Sequence, residues 1–348
     1  MRSESTGREG QLKSEALTPS AISVRAYEGV VDARLIARAI NSARVEAGSG
    51  EPPVTAEGVQ SFIETAWDGF DPCKDMHLFF LGDRLIAYER TKRETWADGT
   101  RVYHVLPFVH PEQHNRRILG EILGHVTRYQ SAAVAHDRSD VVPFLSVIPD
   151  PEDGEMIGAL RATGYVPCHR FLWMHRRLEG SVAQSTLPEG VKLRPLRPAH
   201  HRTVYRFDRR IMHGHWGVEA PTETHFQWWS EEAFLCPELW RVAWHGDKIV
   251  GTSAGILGGT RNPSLGGQRG EIRFVRVDPG WRRRGVASAL IISCLSALHE
   301  RGIREVVLGV DGANEKRAAA LYRSLGFEVS SCRTAYCLDL PVADASRA

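Results

Sequence analysis

The chain has 348 residues, 25% of them charged and 42% hydrophobic, which is enough for two ordinary globular domains, each with its own core. A formal net charge of +2 gives no reason to expect nucleic acid or an anionic membrane as the main partner. No stretch approaches the ~18 consecutive apolar residues of a membrane span.

The chain opens with MRSESTGREGQLKSEALTPS, a polar stretch without the apolar segment of a secretory signal, and residues 1–22 read as a disordered tail. The six cysteines, Cys73, Cys168, Cys236, Cys294, Cys332 and Cys337, are scattered and show no metal-ligand spacing. A reduced, cytoplasmic protein is therefore the expectation.

From Leu78, LFFLGDRLIAYE reads as two short strands joined at a Gly-Asp turn, and VAWHGDKIVGTS repeats it from Val242. FVHPEQ, with Pro111, returns as RVDPGW, with Pro279; ALRATGYV, with Gly164, returns as LYRSLGFEV, with Gly326. The separations are 164, 168 and 162 residues, so three landmarks recur in order at nearly fixed spacing. The chain is read as two copies of one fold, 23–178 and 191–340. A small, polar linker at 179–190 joins them, and a short tail follows at 341–348.

Within the second copy VKLRPL opens as a strand, and EIRFVRV, Glu271 to Val277, alternates like one. VASALIISCLSALHERG then has helical spacing and stops at Gly302. REVVLGV reads as a buried strand, NEKRAAALYRSLG as a helix stopped by Gly326, and TAYCLDL as a last strand. The fold class is α+β, each copy a mixed, mostly antiparallel sheet flanked by helices.

Between EIRFVRV and the long helix stands VDPGWRRRGVASAL. At a helix start, unpaired N–H groups and the helix dipole make an anion site. Gly285 lets a pyrophosphate approach the backbone, Ala287 keeps the first turn clear, and Arg282, Arg283 and Arg284 add positive potential. The less favoured reading of the spacing alone is a solvated arginine cluster capping a strand.

With Pro279, Arg282, Gly285 and Ala287 in place, and Asn314, Leu321-Tyr322 and Gly326-Phe327 following, the second copy resembles the GNAT superfamily of acyl-CoA-dependent N-acyltransferases. More narrowly, two copies ending in SLGFEVSSCRTAYCL are similar to mycothiol synthase and its actinobacterial relatives. The resemblance implies acetyl-CoA, or another acyl-CoA, held by Val275, Arg276 and Val277 along the pantetheine. Arg282 to Ser288, including Val286, would surround the pyrophosphate, and Asn314 would touch the pantetheine arm. It also implies Glu271 as general base, Tyr322 as general acid, and a strand N–H near Val275 for the oxyanion.

A free Glu near ~4.3 taking a proton from an α-amine near ~7.8 works uphill by about 3.5 pH units, roughly 5 kcal/mol. That mismatch favours a weakly basic amine or a buried Glu271. Glu271 could instead be a strand carboxylate paired with Arg273, and Tyr322 a core aromatic.

In repeat register Arg117 replaces Gly285, Leu119 replaces Ala287, Tyr103 replaces Glu271 and Leu160 replaces Tyr322. Arginine and leucine side chains there should block the pyrophosphate, and Pro107 interrupts the strand that would pair with pantetheine. The first copy is expected to be a scaffold. A three-residue slip onto Gly120, with Val109, Asn115, Arg116 and Arg117, would leave a second cofactor site. RIMHGHWGVEAPTETHFQWW, Arg210 to Trp229, falls where the resemblance puts an acceptor pocket. Its His213, His215 and His225 lack a fourth zinc ligand, and no metal is expected. The expected function is N-acylation, acetylation first, of a small-molecule amine by a monomer whose copies pair internally. The competing expectation is a non-catalytic acyl-CoA sensor built from the same domains.

Overall fold

The computed structural model describes residues 22–46, 48, 52–64, 69–135, 141–180, 185–257, 269–312 and 315–341. Two compact units divide the chain: one holds 1–65, 71–90 and 107–113, the other 66–70, 91–106 and 114–348.

In the first unit β1 (Ile22–Ala26) pairs antiparallel with β2 (Met76–Leu81), and β2 with the start of β3 (Arg84–Thr95). Helices α1 (Val30–Glu46), α2 (Ala56–Glu64) and the single turn α3 (Pro72–Asp75) complete it. Asp32, wholly buried on α1, is held by Arg25 at 2.5 Å.

The second unit takes the start of β4 (Arg101–Val109), then α4 (Arg116–Val134), β5 (Phe144–Val147), α5 (Gly154–Ala162) and β6 (Val166–Arg177). The second copy adds β7 (Val191–Arg194), α6 (His201–Met212), α7 (Glu223–Leu235), β8 (Trp240–His245), β9 (Lys248–Leu257) and β10 (Arg269–Val277). It ends with α8 (Val286–Glu300), β11 (Glu305–Asp311), α9 (Glu315–Ser324) and β12 (Glu328–Asp339). Strand order across this unit is β4-β5-β12-β6-β11-β10-β9-β8-β7. Most pairs are antiparallel; β4–β5 and β10–β11 are parallel.

That order contains an exchange. β6 ends the first copy but pairs along its length with β11 of the second, Phe171 opposite Asp311 through Arg177 opposite Glu305. β12 ends the second copy but pairs with β5 of the first. The copies are contiguous in sequence and share strands in space.

Two expectations are corrected. β4 runs through Pro107; its ladder with β5 ends at His104, so the missing N–H breaks no bond there. The cysteines are not all reduced: Cys168 on β6 and Cys337 on β12 form a disulfide across the exchanged strands, while Cys73, Cys294 and Cys332 are free. The partners lie 169 residues apart, so no local spacing announces the pair.

The core beneath the second copy packs Ile291, Leu295 and Leu298 of α8 with Val306, Leu308 and Val310 of β11 and Phe327. Gly251 brings α8 close, since a Cβ there would stand 2.9 Å from both Leu290 and Val286 side-chain carbons. On the other face Tyr205, Phe207, Trp229, Trp240 and Phe274 form a second, aromatic core.

Candidate active site

The expected anion loop takes a specific shape. Asp278 accepts from Gly280 N–H at 3.0 Å and closes a 3-10 turn over Pro279–Trp281. Gly285 is the N-cap of α8 at φ +81°, ψ −4°, a left-handed conformation that L side chains rarely adopt. No side chain caps this helix start, so the first-turn N–H groups of Val286, Ala287 and Ser288 are left for an incoming acceptor. A Cβ on Gly285 would meet nothing within 4 Å, which is the room an approaching phosphate needs. Arg282, Arg283 and Arg284 are all exposed around it, and Arg284 lies over the Trp281 ring.

β10 leads into that loop with a bulge. Arg273 faces Ala254 on β9 and Arg276 faces Thr252, so Phe274 and Val275 together oppose Ser253. Phe274 sits at φ +55°, and its carbonyl accepts from Thr252 Oγ1 at 3.0 Å. On its other edge β10 pairs with β11 only over Arg269–Glu271 against Glu305–Val307. Beyond Glu271 the two parallel strands separate, and the edge from Val275 to Val277 faces the gap. Continued, the register puts Asp311 across that gap from Val275.

Glu271 stands where pairing ends, 6% exposed, with Oε1 2.8 Å from Arg273 Nε. The pairing read as its alternative role is therefore present. Tyr322 on α9 is 8% exposed and packs edge-on to Phe327. Burial pushes its hydroxyl above the ordinary phenol range, while the nearby Arg276 guanidinium works the other way. Arg276 is itself fixed by Asp208, 2% exposed on α6, at 2.8 Å. Asn314 lies outside the described residues.

The face of the sheet opposite α8 holds Asp311 and His169, which the sequence did not single out, beside His215, which it did. Val306, Leu308 and Val310 point into the α8 core, so Val307, Gly309 and Asp311 face the other way. Beside them the register aligns His175, Trp173 and Phe171 of β6, brought there by the strand exchange. His169 Nε2 lies 2.8 Å from Asp311 Oδ1, and His215 Nδ1 lies 3.3 Å from Asp311 Oδ2. Trp216 stacks on His169 at 4.5 Å and 6° between planes, with Trp96 edge-on at 4.9 Å. The loop carrying His215 and Trp216 is bound to the first copy's β3–β4 turn through Ala97 N–H to Val218 O and Ala220 N–H to Thr95 O, both 2.8 Å. His215 and His225 thus do different work. His215 meets Asp311, and His225 Nδ1 meets Tyr205 Oη at 2.9 Å. Burial, reinforced by Arg209, takes the His225 imidazole down to about 4.

Beside this loop Glu94 binds Lys92 and His104, and Lys92 also reaches Glu219 at 3.4 Å. Burial works to raise Glu94, but His104 and Lys92 prevail and hold it down to about 2. Glu219 moves up, through burial and the neighbouring Glu94 charge.

The helix start in the first copy is built differently. α4 begins at Asn115, whose side chain accepts from Ile118 N–H at 3.1 Å, and Glu155 accepts from Arg116 N–H at 2.8 Å. Two of the four donors a phosphate would use are bound by the protein's own oxygens. Arg116 lies over Gly158, where a Cβ would stand 2.4 Å from its Nε. Leu119, expected to obstruct the loop, is instead wholly buried in the core, and Arg117 is exposed. By helix start Gly285 corresponds to Asn115, two residues before the repeat register would put it. Gly120 lies inside α4, and Val109 closes β4 in the first unit.

Among the described residues no helix is long and apolar enough to cross a membrane. The Acetyltransferase (GNAT) family model matches residues 201–327. Mycothiol acetyltransferase of Thermobispora bispora is 32% identical over 168 residues, 45% of this chain and 54% of that protein. The Saccharomonospora viridis protein of the same name is 32% identical over 41% of this chain and 47% of its own length. The chain thus spans about half the length of these curated relatives. Among solved structures, a GCN5-related N-acetyltransferase from Sphaerobacter thermophilus matches with a TM-score of 0.68 at 24% identity, over 93% of this chain and 98% of that one. A tandem GNAT protein from the clavulanic acid biosynthesis pathway matches with a TM-score of 0.62 at 16% identity, over 93% of this chain and all of that one (100%). The fold is that of these two solved structures, and residues 201–327 are the part of the chain similar to the acetyltransferase (GNAT) family.

Proposed function

We propose that the protein is an acyl-CoA-dependent N-acyltransferase, with acetyl-CoA as donor, acting on a small-molecule amine at one site in the second copy. The observation that carries this reading is the uncapped, left-handed start of α8 at Gly285 beside the bulged, separated edge of β10. The first-turn N–H groups and Arg282 to Arg284 bind the pyrophosphate, and the free edge of Val275 to Val277 pairs with pantetheine. Thioester chemistry is supplied by the bound donor. The N–H at Val275 stabilises the oxyanion. Glu271 accepts the amine proton through Oε2 while Arg273 holds Oε1. Tyr322, kept protonated by burial, donates a hydrogen bond to the departing sulfur.

Acceptor recognition falls to the face carrying Asp311, His169, His215 and Trp216. A carboxylate with an aromatic wall suits a molecule bearing a cationic or hydroxylated group near its reacting amine. The relatives' name, mycothiol acetyltransferase, supports a small-molecule acceptor. In this reading 23–178 and 191–340 are the two copies, and the first serves as scaffold because Asn115 and Glu155 occupy its helix start.

The Glu271–Arg273 pair favours a second reading, a non-catalytic acyl-CoA binder. Release of free thiol from acetyl-CoA across an amine panel separates the two. Steady release that falls at least about 100-fold in Glu271→Gln, with acetyl-CoA affinity kept, supports catalysis. Tight acetyl-CoA binding with no release for any amine supports the binder.

A further inference from the structure

In repeat register His110 and Glu112 of the first copy stand where the second copy has Asp278 and Gly280. The second-copy pair makes a simple cap, Asp278 to Gly280 N–H. The first-copy pair cannot, and its surroundings differ. His110 is 1% exposed and its backbone is fixed, its N–H donating to Ile86 O at 2.9 Å and its carbonyl accepting from Gln113 N–H at 2.8 Å. Neither ring nitrogen has a hydrogen-bond partner. A buried imidazole must place at least one N–H and one lone pair, and leaving both unmet is a costly arrangement that calls for a ligand.

Two carboxylates stand close to the ring. Glu46, the last residue of α1, brings Oε1 to 3.5 Å from His110 Nε2, close for an ion pair and long for a hydrogen bond. One ligand atom each from Glu46, His110 and Glu112 falls within 4.8 Å of the others. Two ligands bonded tetrahedrally to one ion at about 2.0–2.2 Å stand about 3.3–3.6 Å apart, so the widest pair must close by up to about 1.5 Å. Glu46 and Glu112 are exposed, so their side chains can make that movement, whereas His110 is buried and its backbone fixed. Arg84 already grips Glu112 through Oε2 at 2.7 Å, which orients the carboxylate and leaves Oε1 to turn inward. All four residues belong to the first unit.

We propose that Glu46, His110 and Glu112 bind one first-row divalent cation, with Zn2+ the best fit. One imidazole and two carboxylates form a nitrogen–oxygen donor set without sulfur, suited to Zn2+, Co2+ or Mn2+, and water completes the shell. Two negative charges match the ion, and the buried His110 nitrogen gains its missing partner. The ion ties the end of α1 to the turn after β4. The site is therefore structural: it stabilises the first unit, and it is independent of the acyltransfer reading. Sequence spacing cannot reveal it, because its ligands lie at 46 and 110–112.

The test uses the full chain stripped with chelator, then titrated calorimetrically with Zn2+ and, separately, Co2+, with metal counted after dialysis. One ion per chain is expected, with a dissociation constant of about 1 µM or tighter. Glu46→Gln and Glu112→Gln, both at exposed positions, should each weaken binding about 10- to 100-fold. His110→Asn should abolish it, and the two glutamate variants carry the test if that protein fails to fold. The Co2+ form should lack a thiolate charge-transfer band, which separates this site from capture by free cysteines. Zn2+ should raise the melting temperature of the unmodified chain and not of the variants. No retained ion, or affinity unchanged from the unmodified chain in both glutamate variants, overturns the proposal. In that case the Glu46 contact is what His110 Nε2 has in place of an ion.

Discussion

His169 and Asp311 meet at 2.8 Å, yet they come from different halves of a duplicated sequence. The contact exists because β6 leaves its own copy and runs beside β11. A copy without the proposed chemistry thereby contributes side chains to the face on which the other copy would receive its amine.

If Asp311 holds the acceptor, Asp311→Asn should raise KM for the amine about tenfold or more, the scale of a lost charge-assisted hydrogen bond. Acetyl-CoA affinity should stay within about twofold. His169→Leu should act in the same direction and more weakly, because it reaches substrate only through Asp311. Steady-state kinetics on both variants check this. Equal losses in acetyl-CoA affinity would place the residues in the donor site instead.

Gly285→Val forces a β-branched residue into the left-handed region, at about 1–2 kcal/mol. Its added carbons meet no protein atom near Cβ, so the chain should still fold. They do enter the space proposed for pyrophosphate, and calorimetry should find acetyl-CoA binding weakened at least about tenfold. Undiminished affinity would remove this helix start from the donor site.

His225 gives the molecule an acid-sensitive point. Its folded-state value is about 4, below the ordinary ~6.5 of an unfolded imidazole, so the unfolded chain binds more protons between those values. Stability should therefore fall as pH drops from about 6.5 to about 4. With the side chain only half-buried, the loss should be about 1–2 kcal/mol. Glu94, depressed to about 2, extends the loss below the ordinary ~4.3 of a carboxylate. Urea midpoints across this range should show the upper part flattened in His225→Gln and the lower part in Glu94→Gln.

The Cys168–Cys337 bond closes a long loop across the exchanged strands. Reduction, or Cys168→Ser, should lower stability by about 2–4 kcal/mol, read from urea midpoints with and without reductant. An unchanged midpoint would mean that strand pairing alone fixes the exchange.

What could be read in advance follows from how local each feature is. Gly285, the arginines and the two strands flanking them form one continuous stretch, and the sequence carries their geometry directly. The Glu271–Arg273 pair is also local, two residues apart on one strand, and was visible as an alternative. The contacts of His169 with Asp311 and of Cys168 with Cys337 depend on which strand enters which sheet. No periodicity encodes that choice. Leu119 illustrates a smaller failure: the repeat register drifts by two residues at the loop, and a core leucine was read as an obstruction. The first copy's helix start is closed by Asn115 and by Glu155, the latter 39 residues further along the chain, which spacing alone does not connect.

The central claim, one donor site per chain and that site in the second copy, is most directly tested by native mass spectrometry of the intact protein titrated with acetyl-CoA. The account predicts a single bound molecule at saturation, lost in Gly285→Val and kept when Asn115 or Glu155 is replaced by alanine. Two molecules bound, or one that survives in Gly285→Val, would contradict it.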